Sequence, residues 1–413
     1  MEHQRVGWFK RILVLGVFTC IAFFTSFPSE CLAVKPESLT IAIIGDMTGP
    51  YAPVIGPFGP GTEDAVRYVN EELGGIDGVK LKLVSRDNTG KVALGLQQYA
   101  ELVEMKPKPL FLGLMHSPLA EALREKIFAD GVIGLSTTAV GTIYPRGTMY
   151  GCYALYPELA GIAVKWLKDN WKEKQNPRVA IITWDQAYGR AILTEEFLDY
   201  CKKIGVDIIA TELFGMKDVD LTTHMVRIRA KKPDWLLTNT LGSGPVAIMK
   251  AVKELNWDIK LLNGPGGDWG TIRLNPDIFE GCVTVVNQVS YDDTSHSGMK
   301  RLLGYMKKNN RGVNEQTICY GFGWQFTLIM HKVVKDAVAK VGWDKLNIST
   351  IQYQMNRLTD FQVLDGVYRM TYTDKVYTTP WAAAHKIQGG KMININPGGG
   401  FIKAPDLRPA QYR

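Results

Sequence analysis

Short runs of consecutive apolar residues alternate along this chain with segments in which apolar residues recur every three or four positions. The first apolar run, residues 41–44, leads into Gly45 and a cluster of Asp, Thr, Gly and Pro. An apolar run that ends in turn-forming residues indicates a strand of a parallel sheet with both faces covered. Ligands bind such sheets where loops leave the carboxyl ends of the strands. The pattern therefore predicts an α/β fold and draws attention to those loops.

The alternation of strand and helix occurs twice, with a break near Tyr153. The first set predicts strands at 40–45, 79–84, 110–113 and 132–135. The second predicts strands at 178–184, 206–213, 235–238, 260–263 and 282–286. Helical patterns separate the strands, as in βαβ units, so we expect two Rossmann-like lobes. Later segments predict helices at 299–308 and 318–341, short strands at 368–372 and 384–387, and a loose tail from Asn396.

The length of 413 residues favours two domains, because a single hydrophobic core rarely grows that large. The net charge of +7 is spread along the whole chain. No dense block of Lys and Arg with interleaved aromatic residues occurs, so nucleic acid is not expected as a partner.

The N-terminus has the pattern of an export signal. Arg5, Lys10 and Arg11 supply positive charge, and residues 12–27 carry none. That uncharged run is shorter than the roughly 20 residues a spanning helix needs. We expect residues 1–33 to be a signal peptide cleaved after Ala33, which places the protein in the periplasm; an uncleaved membrane anchor is the alternative.

Catalytic and metal motifs are not evident. The glycines from Gly56 to Gly61 lack the Lys of a phosphate-binding loop, and Gly242-Ser243-Gly244 lacks the spacing of a nucleophile elbow. The His residues are scattered, and the cysteines that follow the signal are too far apart for a zinc ribbon or a C-x-x-C motif. Those cysteines form disulfides or remain buried free thiols: Cys152, Cys201, Cys282 and Cys319. We expect neither an enzyme nor a cofactor.

A binding site is better supported, at the carboxyl edge of the first sheet. Ser117 and Pro118 follow the third strand and open a helix, where unpaired amides and a hydroxyl form a cradle for an anion. Thr137 and Thr138 follow the fourth strand directly, at the same edge. Ser117 could instead only cap its helix, but the neighbouring hydroxyls favour an anionic group held between the two loops.

The second lobe has equivalent loops after its strands. Asp185 and Tyr188 follow one strand, and the segment from Gly264 to Trp269 follows another. These residues are candidates for the opposite wall of a cleft. The alternative is that Asp185 caps a helix and the glycines serve only the turn.

Several of these features together resemble the substrate-binding proteins of branched-chain amino-acid ABC transporters, of the Leu/Ile/Val type. The resemblance runs from about Leu39 to Lys391. Five segments carry it by their order and spacing: Met47 to Pro50, Gly74 to Ile76, Gly113 through Ser117 to Gly131, Asp185 to Gly189, and Gly264-Pro265.

The resemblance implies the type I periplasmic-binding-protein fold, in which two lobes are joined by three crossovers and close on a ligand. We expect the crossovers near 153–157, 287–291 and 361–366. Lobe 1 then comprises 34–153 with 291–361, lobe 2 comprises 154–290 with 362–395, and a C-terminal tail covers 396–413. The resemblance also implies that the protein is a monomer and that it delivers a small molecule to a membrane permease.

The family's site residues carry over at three positions. The resemblance implies that Ser117 and the Thr138 loop hold the ligand carboxylate and that Tyr188 approaches from the other lobe. Two departures matter. The Glu that follows Gly-Pro in amino-acid binders is Gly266 here, with Asp268 as a possible substitute. The family's first-lobe disulfide is absent.

Thr89 and His116 occupy the positions of the two missing cysteines. His116 therefore lies beside Ser117, where it either faces the ligand or packs as a loop histidine. Without a carboxylate at Gly266, a buried ammonium group would be unpaired at a cost of several kcal/mol.

The sequence thus predicts a non-enzymatic receptor for a small carboxylate-bearing solute. The family favours a hydrophobic amino acid. Gly266, with Trp269, Tyr51 and Tyr188 nearby, favours an aromatic or other organic acid that lacks an amine. A ligand-sensing module for a separate signalling partner is a further alternative, although no membrane or signalling segment is expected between the lobes and Arg413.

Overall fold

The computed structural model describes residues 35–265 and 269–413. The predicted signal peptide and its cleavage after Ala33 lie outside the described residues, as do Gly266 and Asp268. Residues 36–413 cluster into one unit that contains two main sheets. None of the helices in the described part of the chain has both the length and the apolar character needed to span a bilayer.

The first sheet is wholly parallel, with strand order β2-β1-β3-β4-β5. Its strands are β1 Ser38–Gly45, β2 Lys80–Asp87, β3 Phe111–Met115, β4 Ile133–Ser136 and β5 Met149–Gly151. The helices between them are α1 Ala52–Ile55, α2 Phe58–Glu71, α3 Val92–Val103, α4 Ser117–Ala129 and α5 Val140–Ile143. Residues 41–44 of β1 are fully buried, as their continuous apolar run predicted, and they lie between β2 and β3.

The second sheet has the order β14-β13-β10-β9-β8-β6-β7, and β15 also pairs with β13. Its parallel strands are β6 Arg178–Trp184, β7 Asp207–Phe214, β8 Trp235–Thr238, β9 Lys260–Pro265 and β10 Val283–Val286. The accompanying helices are α6 Tyr156–Asn170, α7 Ala187–Arg190, α8 Glu195–Ile204, α9 Thr222–Ala230, α10 Ser243–Glu254, α11 Trp269–Leu274 and α12 Pro276–Phe279.

The late elements divide between the two sheets. They are the helices α13 Ser297–Lys308, α14 Ile318–Val341 and α15 Ile348–Met355, and the strands β11 Phe361–Val363, β12 Tyr368–Met370, β13 Trp381–Gln388, β14 Lys391–Asn394 and β15 Ile402–Lys403. Short 3-10 helices occur at Val313–Glu315, Pro397–Gly399 and Ala410–Tyr412. Strand β13 runs antiparallel to β10, and β14 and β15 run antiparallel to β13. The fold prediction of two α/β lobes is confirmed.

The chain passes three times between the lobes. It leaves the first sheet after β5 and enters α6, which packs on β9 and β10. It returns after β10 to α13 and α14, which pack on α2. The third passage was expected near 361–366, but that segment is part of the antiparallel hairpin β11–β12. The chain rejoins the second sheet at β13, so the third passage is 371–380.

Helix α14 begins and ends at the residues the sequence predicted, without a break at Gly321-Phe322-Gly323. The glycines allow α14 to pack closely against α2. An added Cβ at Gly61 would collide with the carbonyl of Tyr320, and one at Gly323 would collide with the amide of Thr62. The glycine pattern therefore reflects contact between two backbones rather than a helix boundary.

The expectation of a loose tail from Asn396 is wrong. The amide of Ala404 donates to the carbonyl of Pro380 at 2.7 Å, and β15 pairs with β13. The ring of Tyr412 stacks on Tyr144 of lobe 1, with the centroids 4.9 Å apart. Glycines are concentrated in a short turn before β15, and the residues beyond that turn cross from one lobe to the other.

Candidate functional site

A cavity lies between the lobes at the carboxyl ends of the strands. Its walls are mainly aromatic and aliphatic. They are formed by Tyr51, Ile55, Met115, His116, Ser117, Pro118, Thr137, Tyr153, Tyr156, Tyr188, Leu241, Ile318 and Cys319.

Hydroxyl groups converge at one end of this cavity. Helix α4 begins at Ser117, and its N-cap is His116, which makes no capping hydrogen bond. Ser117 therefore does not cap the helix, and its Oγ donates to Oγ1 of Thr137 at 3.0 Å. Tyr156 lines the same cavity, and its hydroxyl lies 3.5 Å from that of Tyr153. Because the first-turn amides of a helix have no intrahelical acceptor, this end of the cavity can bind an anion.

The family resemblance assigned backbone and hydroxyl groups of the Thr138 loop to the ligand carboxylate, but the hydroxyl of Thr138 itself is bonded elsewhere. Its Oγ1 donates to the carbonyl oxygen of Ala154 at 2.8 Å, and the residue is fully buried. The hydroxyl thus ties the loop after β4 to the first crossover. Thr137, one residue earlier, supplies the hydroxyl that lines the cavity.

His116 lies on the cavity wall, almost fully buried. Its Nδ1 lies 2.8 Å from Nδ2 of Asn88, while Oδ1 of Asn88 accepts the amide of Gly90 at 3.3 Å. The Asn88 amide therefore donates to Nδ1. Burial lowers the pKa of His116 below its ordinary value, and the nearby Asp46 carboxylate only partly offsets this effect. The neutral ring then carries its proton on Nε2.

Tyr51 reaches from lobe 1 to lobe 2. Its hydroxyl donates to Sδ of Met216 at 3.1 Å, and its ring meets Trp184 edge-on, with the centroids 6.1 Å apart. Burial raises the pKa of Tyr51 to about 12, so it remains a neutral donor at physiological pH. These contacts join the two lobes beside the cavity.

Tyr188 comes from lobe 2, as the resemblance implied, and lines the cavity. Its ring meets Tyr156 edge-on, with the centroids 4.9 Å apart and the planes at 89°. Its backbone is held on both sides, because its amide donates to Oε1 of Gln186 at 2.7 Å and its carbonyl accepts from Asn239. Asp185, by contrast, pairs with Arg190 at 2.7 Å and lies off the cavity wall.

The remaining predicted residues lie in or beside the loop after β9. Trp269 is the first residue of α11, and Gly266 and Asp268 lie outside the described residues. Their roles remain predictions.

Sequence reasoning missed Tyr153 and Tyr156, which both line the cavity. Both lie in the first crossover, and the signal that identifies them is the expected position of that crossover between the lobes. Cys319 and Ile318, at the start of α14, had no comparable signal.

No carboxylate lines the cavity among the described residues. The nearest acid to Tyr51 and His116 is Asp46, which is fully buried, and its two oxygens accept the amides of Gly49 at 2.7 Å and Tyr51 at 3.0 Å. Its charge is therefore used to hold the turn after β1. A bound ammonium group would have to pair with neutral oxygens or with a residue outside the described part.

Within residues 35–265 and 269–413, no cluster of three or more His, Cys, Asp or Glu side chains is placed to hold a metal ion. The cysteines that follow the predicted signal are buried free thiols: Cys152, Cys201, Cys282 and Cys319. Burial raises the pKa of Cys201 to about 12 and that of Cys282 to about 11, so these thiols are protonated and poorly reactive.

Comparison with known proteins agrees with this architecture. A family model described as periplasmic binding protein matches residues 38–391. This chain belongs to that family. The resemblance inferred from the loops and their spacing is confirmed, and the described elements give it the type I periplasmic-binding-protein fold.

Named relatives and solved structures of this family resemble the chain to different extents. A Leu/Ile/Val-binding protein of Rhizobium johnstonii is 26% identical over 199 residues, which cover 48% of this chain and 53% of that protein. The match thus spans about half the length of that relative.

Two solved structures resemble the chain across nearly its whole length. A branched-chain amino-acid ABC transporter protein of Thermus thermophilus with bound valine has a TM-score of 0.81 at 17% identity, covering 92% of this chain and 100% of that one. A solute-binding protein of R. palustris in complex with 4-hydroxybenzoate has a TM-score of 0.73 at 18% identity, covering 91% and 100%. At these identities the similarity establishes the fold alone.

Proposed function

We propose that this periplasmic binding protein is the exported solute receptor of an ABC importer. It encloses a small hydrophobic carboxylate between its lobes and delivers it, as a monomer, to a membrane permease. The N-terminal segment that resembles a signal peptide supports its place in the periplasm, and family membership supports the receptor role. No chemical step on the ligand is part of this proposal.

The observation that carries the proposal is the arrangement of hydroxyls at one end of a cavity walled by both lobes. Ser117 and Thr137 are hydrogen-bonded to one another at the first turn of α4, and Tyr156 lines the same cavity. Hydroxyl donors and helix-terminal amides together suit a carboxylate. The rest of the wall is apolar or aromatic and suits a hydrocarbon or aryl group.

Two ligand classes fit this arrangement. A branched-chain amino acid is supported by the relative named as a Leu/Ile/Val-binding protein and by the related structure with valine. An aromatic or other organic acid without an amine is supported by the tyrosines of the wall, by Gly266 at the family's acidic position, and by the related structure with 4-hydroxybenzoate.

The site assignment is tested by replacing one residue on each lobe. Ser117→Ala removes a donor to the carboxylate, and Tyr188→Ala removes the facing wall. A panel of amino acids and organic acids is screened first, and the ligand that binds most tightly is used for calorimetry. Each single substitution should lower the affinity at least tenfold, and the double variant should not bind. Unchanged affinity in the double variant would refute the assignment.

The control is Ser349→Ala, which makes the same chemical change at an exposed position on α15. It should bind as the unmodified protein does. Thermal unfolding of all variants without ligand separates loss of binding from loss of the fold.

A further inference from the structure

The walls around the proposed carboxylate cradle present hydrogen-bond donors. His116 determines whether the position next to the carboxylate holds a donor or an acceptor. It precedes Ser117 in the chain and lies on the same wall of the cavity. A group on the atom next to a ligand's carboxyl carbon therefore lies within reach of residues beside Ser117. In an amino acid that group is an ammonium, and in a 2-oxo acid it is a carbonyl oxygen.

The proton of His116 is assigned by its hydrogen-bond network. Asn88 is fully buried, and its Oδ1 accepts the amide of Gly90, so its Nδ2 faces Nδ1 of His116. An N–H that faces Nδ1 requires Nδ1 to be the acceptor, which places the proton on Nε2. Among the described residues Nε2 has no hydrogen-bond partner, and it is the ring nitrogen left for a ligand.

A donor at this position discriminates between ligands. An ammonium group has only protons to offer and repels an N–H, whereas a carbonyl or hydroxyl oxygen accepts from it. Asp46 is fully buried and does not line the cavity, and its oxygens accept the amides of Gly49 and Tyr51. A ligand that leaves a buried donor of the site unpaired loses more affinity than a ligand that only lacks some apolar contact.

We propose that the preferred ligands are amine-free acids whose second polar group accepts a hydrogen bond from Nε2 of His116, such as 2-oxo acids. This inference rests on the proposed function and names the ligand class of the same site. His116 acts as a determinant of specificity, and Asn88 as the residue that sets its tautomer.

The test uses pairs of ligands that differ only in the group at issue. The pairs are leucine with 4-methyl-2-oxopentanoate and phenylalanine with phenylpyruvate, measured by calorimetry on the full chain at pH 8, where His116 is neutral. In at least one pair the oxo acid should bind at least tenfold more tightly than the amino acid.

Variants separate the role of His116 from a role in packing. His116→Phe keeps an aromatic ring and removes the N–H, so it should weaken oxo-acid binding about tenfold and strengthen amino-acid binding, because the ammonium group no longer faces a donor. Nitrogen-15 spectra of histidine-labelled protein should show a neutral ring protonated on Nε2, assigned by its loss in His116→Phe. A ring protonated on Nδ1, or equal losses for both ligand types, would overturn the proposal.

The opposite preference, for amino acids, would require a carboxylate at the cavity to pair with the ammonium group. Asp268, which lies outside the described residues, is the candidate for that role. If the amino acids bind as tightly as the oxo acids and Asp268→Asn abolishes that binding, the inference is wrong while the receptor function stands. If Asp268→Asn leaves the preference for oxo acids unchanged, the inference is supported. If neither kind binds but an acid with neither group, such as 4-hydroxybenzoate, does, the inference is wrong while the receptor function stands. If none of these acids binds, the proposed function fails together with the inference.

Discussion

The hydroxyl of Tyr51 donates to Sδ of Met216 across the cleft, at 3.1 Å. Tyr51 lies just before α1 in lobe 1, and Met216 lies in the loop after β7 in lobe 2. This is a direct contact between the two lobes at the edge of the cavity. Its free energy belongs to the closed state, so it adds to the apparent affinity for any ligand that requires closure.

Removing this hydrogen bond should weaken ligand binding slightly. Tyr51→Phe keeps the ring contacts with Trp184 and His116 and removes only the hydroxyl. A net hydrogen bond contributes about 1 kcal/mol, which corresponds to an affinity about fivefold lower. Calorimetry on the purified variant measures the change.

A double-mutant cycle separates this contact from any contact of Tyr51 with the ligand. Met216→Leu should cause a similar loss, and the double variant should lose no more than either single variant. Fully additive losses would show that the two side chains act independently.

The edge of the sheet that carries the site could be predicted from the sequence, because the carboxyl ends of parallel strands meet at one edge. Ser117 and Thr137 follow different strands and are brought together as expected. Thr138 shows the limit of that reasoning. Adjacent residues in a loop point in different directions, and only the packed structure reveals that Thr137 faces the cavity while Thr138 faces Ala154.

Features that depend on how the two lobes meet could not be predicted. The crossover that carries Tyr153 and Tyr156 was predicted near 153–157, but no local pattern shows that their side chains line the cavity. The third passage was placed too early, because the hairpin β11–β12 precedes it and a short hairpin gives a weak signal. The tail was misjudged because its composition resembles a linker, whereas its contacts lie far away in the sequence, on Glu158 and Tyr144.

Glu158 should make stability depend on pH. It lies in the first turn of α6, almost fully buried, and accepts the amides of Leu155 at 2.9 Å and Leu407 at 3.2 Å. Burial raises its pKa from 4.5 to about 7, with smaller opposing effects from its amide partners and Arg408 and a small reinforcing effect from Asp406. The folded state therefore favours the protonated form.

The pKa of Glu158 is higher in the folded chain than in the unfolded chain, so the fold is more stable at low pH than at high pH. The stabilisation is complete below about pH 4.5 and is lost as pH rises through about 7. Relative to Glu158→Gln, which cannot ionise, the free energy of unfolding should fall by up to about 3 kcal/mol between pH 4.5 and 8. Urea unfolding at a series of pH values measures it. A difference that does not vary with pH would show that Glu158 titrates normally in the fold.

The buried carboxylate of Asp64 should be essential for stability. It joins α2 to two later segments, because it accepts from Arg311 at 3.1 Å and from the hydroxyl of Tyr320 at 2.8 Å. Asp64 is fully buried and Arg311 is largely so, with 19% of its side chain exposed. Asp64→Ala would leave the guanidinium without its main partner and should cost about 3–5 kcal/mol in the free energy of unfolding.

Glu63 supplies the matched control for Asp64. It pairs with the same Arg311 at 3.3 Å, but 53% of its side chain is exposed. Glu63→Ala should therefore cost less than about 1 kcal/mol in the same denaturation experiment. Equal costs for the two variants would contradict the assigned importance of burial.

Two glycines inside helices should respond in opposite ways to the same substitution. Gly161 in α6 faces the C-terminal segment, and an added Cβ would lie 2.7 Å from Cγ of Pro405 and 3.2 Å from Cδ1 of Leu407. Gly304 in α13 has no atom within 4 Å of that position. An alanine in a helix interior normally stabilises by about 0.5–1 kcal/mol relative to glycine.

Gly304→Ala should show that gain in the free energy of unfolding. Gly161→Ala should instead destabilise, by about 1–3 kcal/mol, because Pro405 and Leu407 must move out of a packed contact. Limited proteolysis should also cut residues 402–413 faster in Gly161→Ala than in Gly304→Ala, because the segment loses its contact with α6. If both variants gain stability equally, the C-terminal segment is not held against α6 in solution.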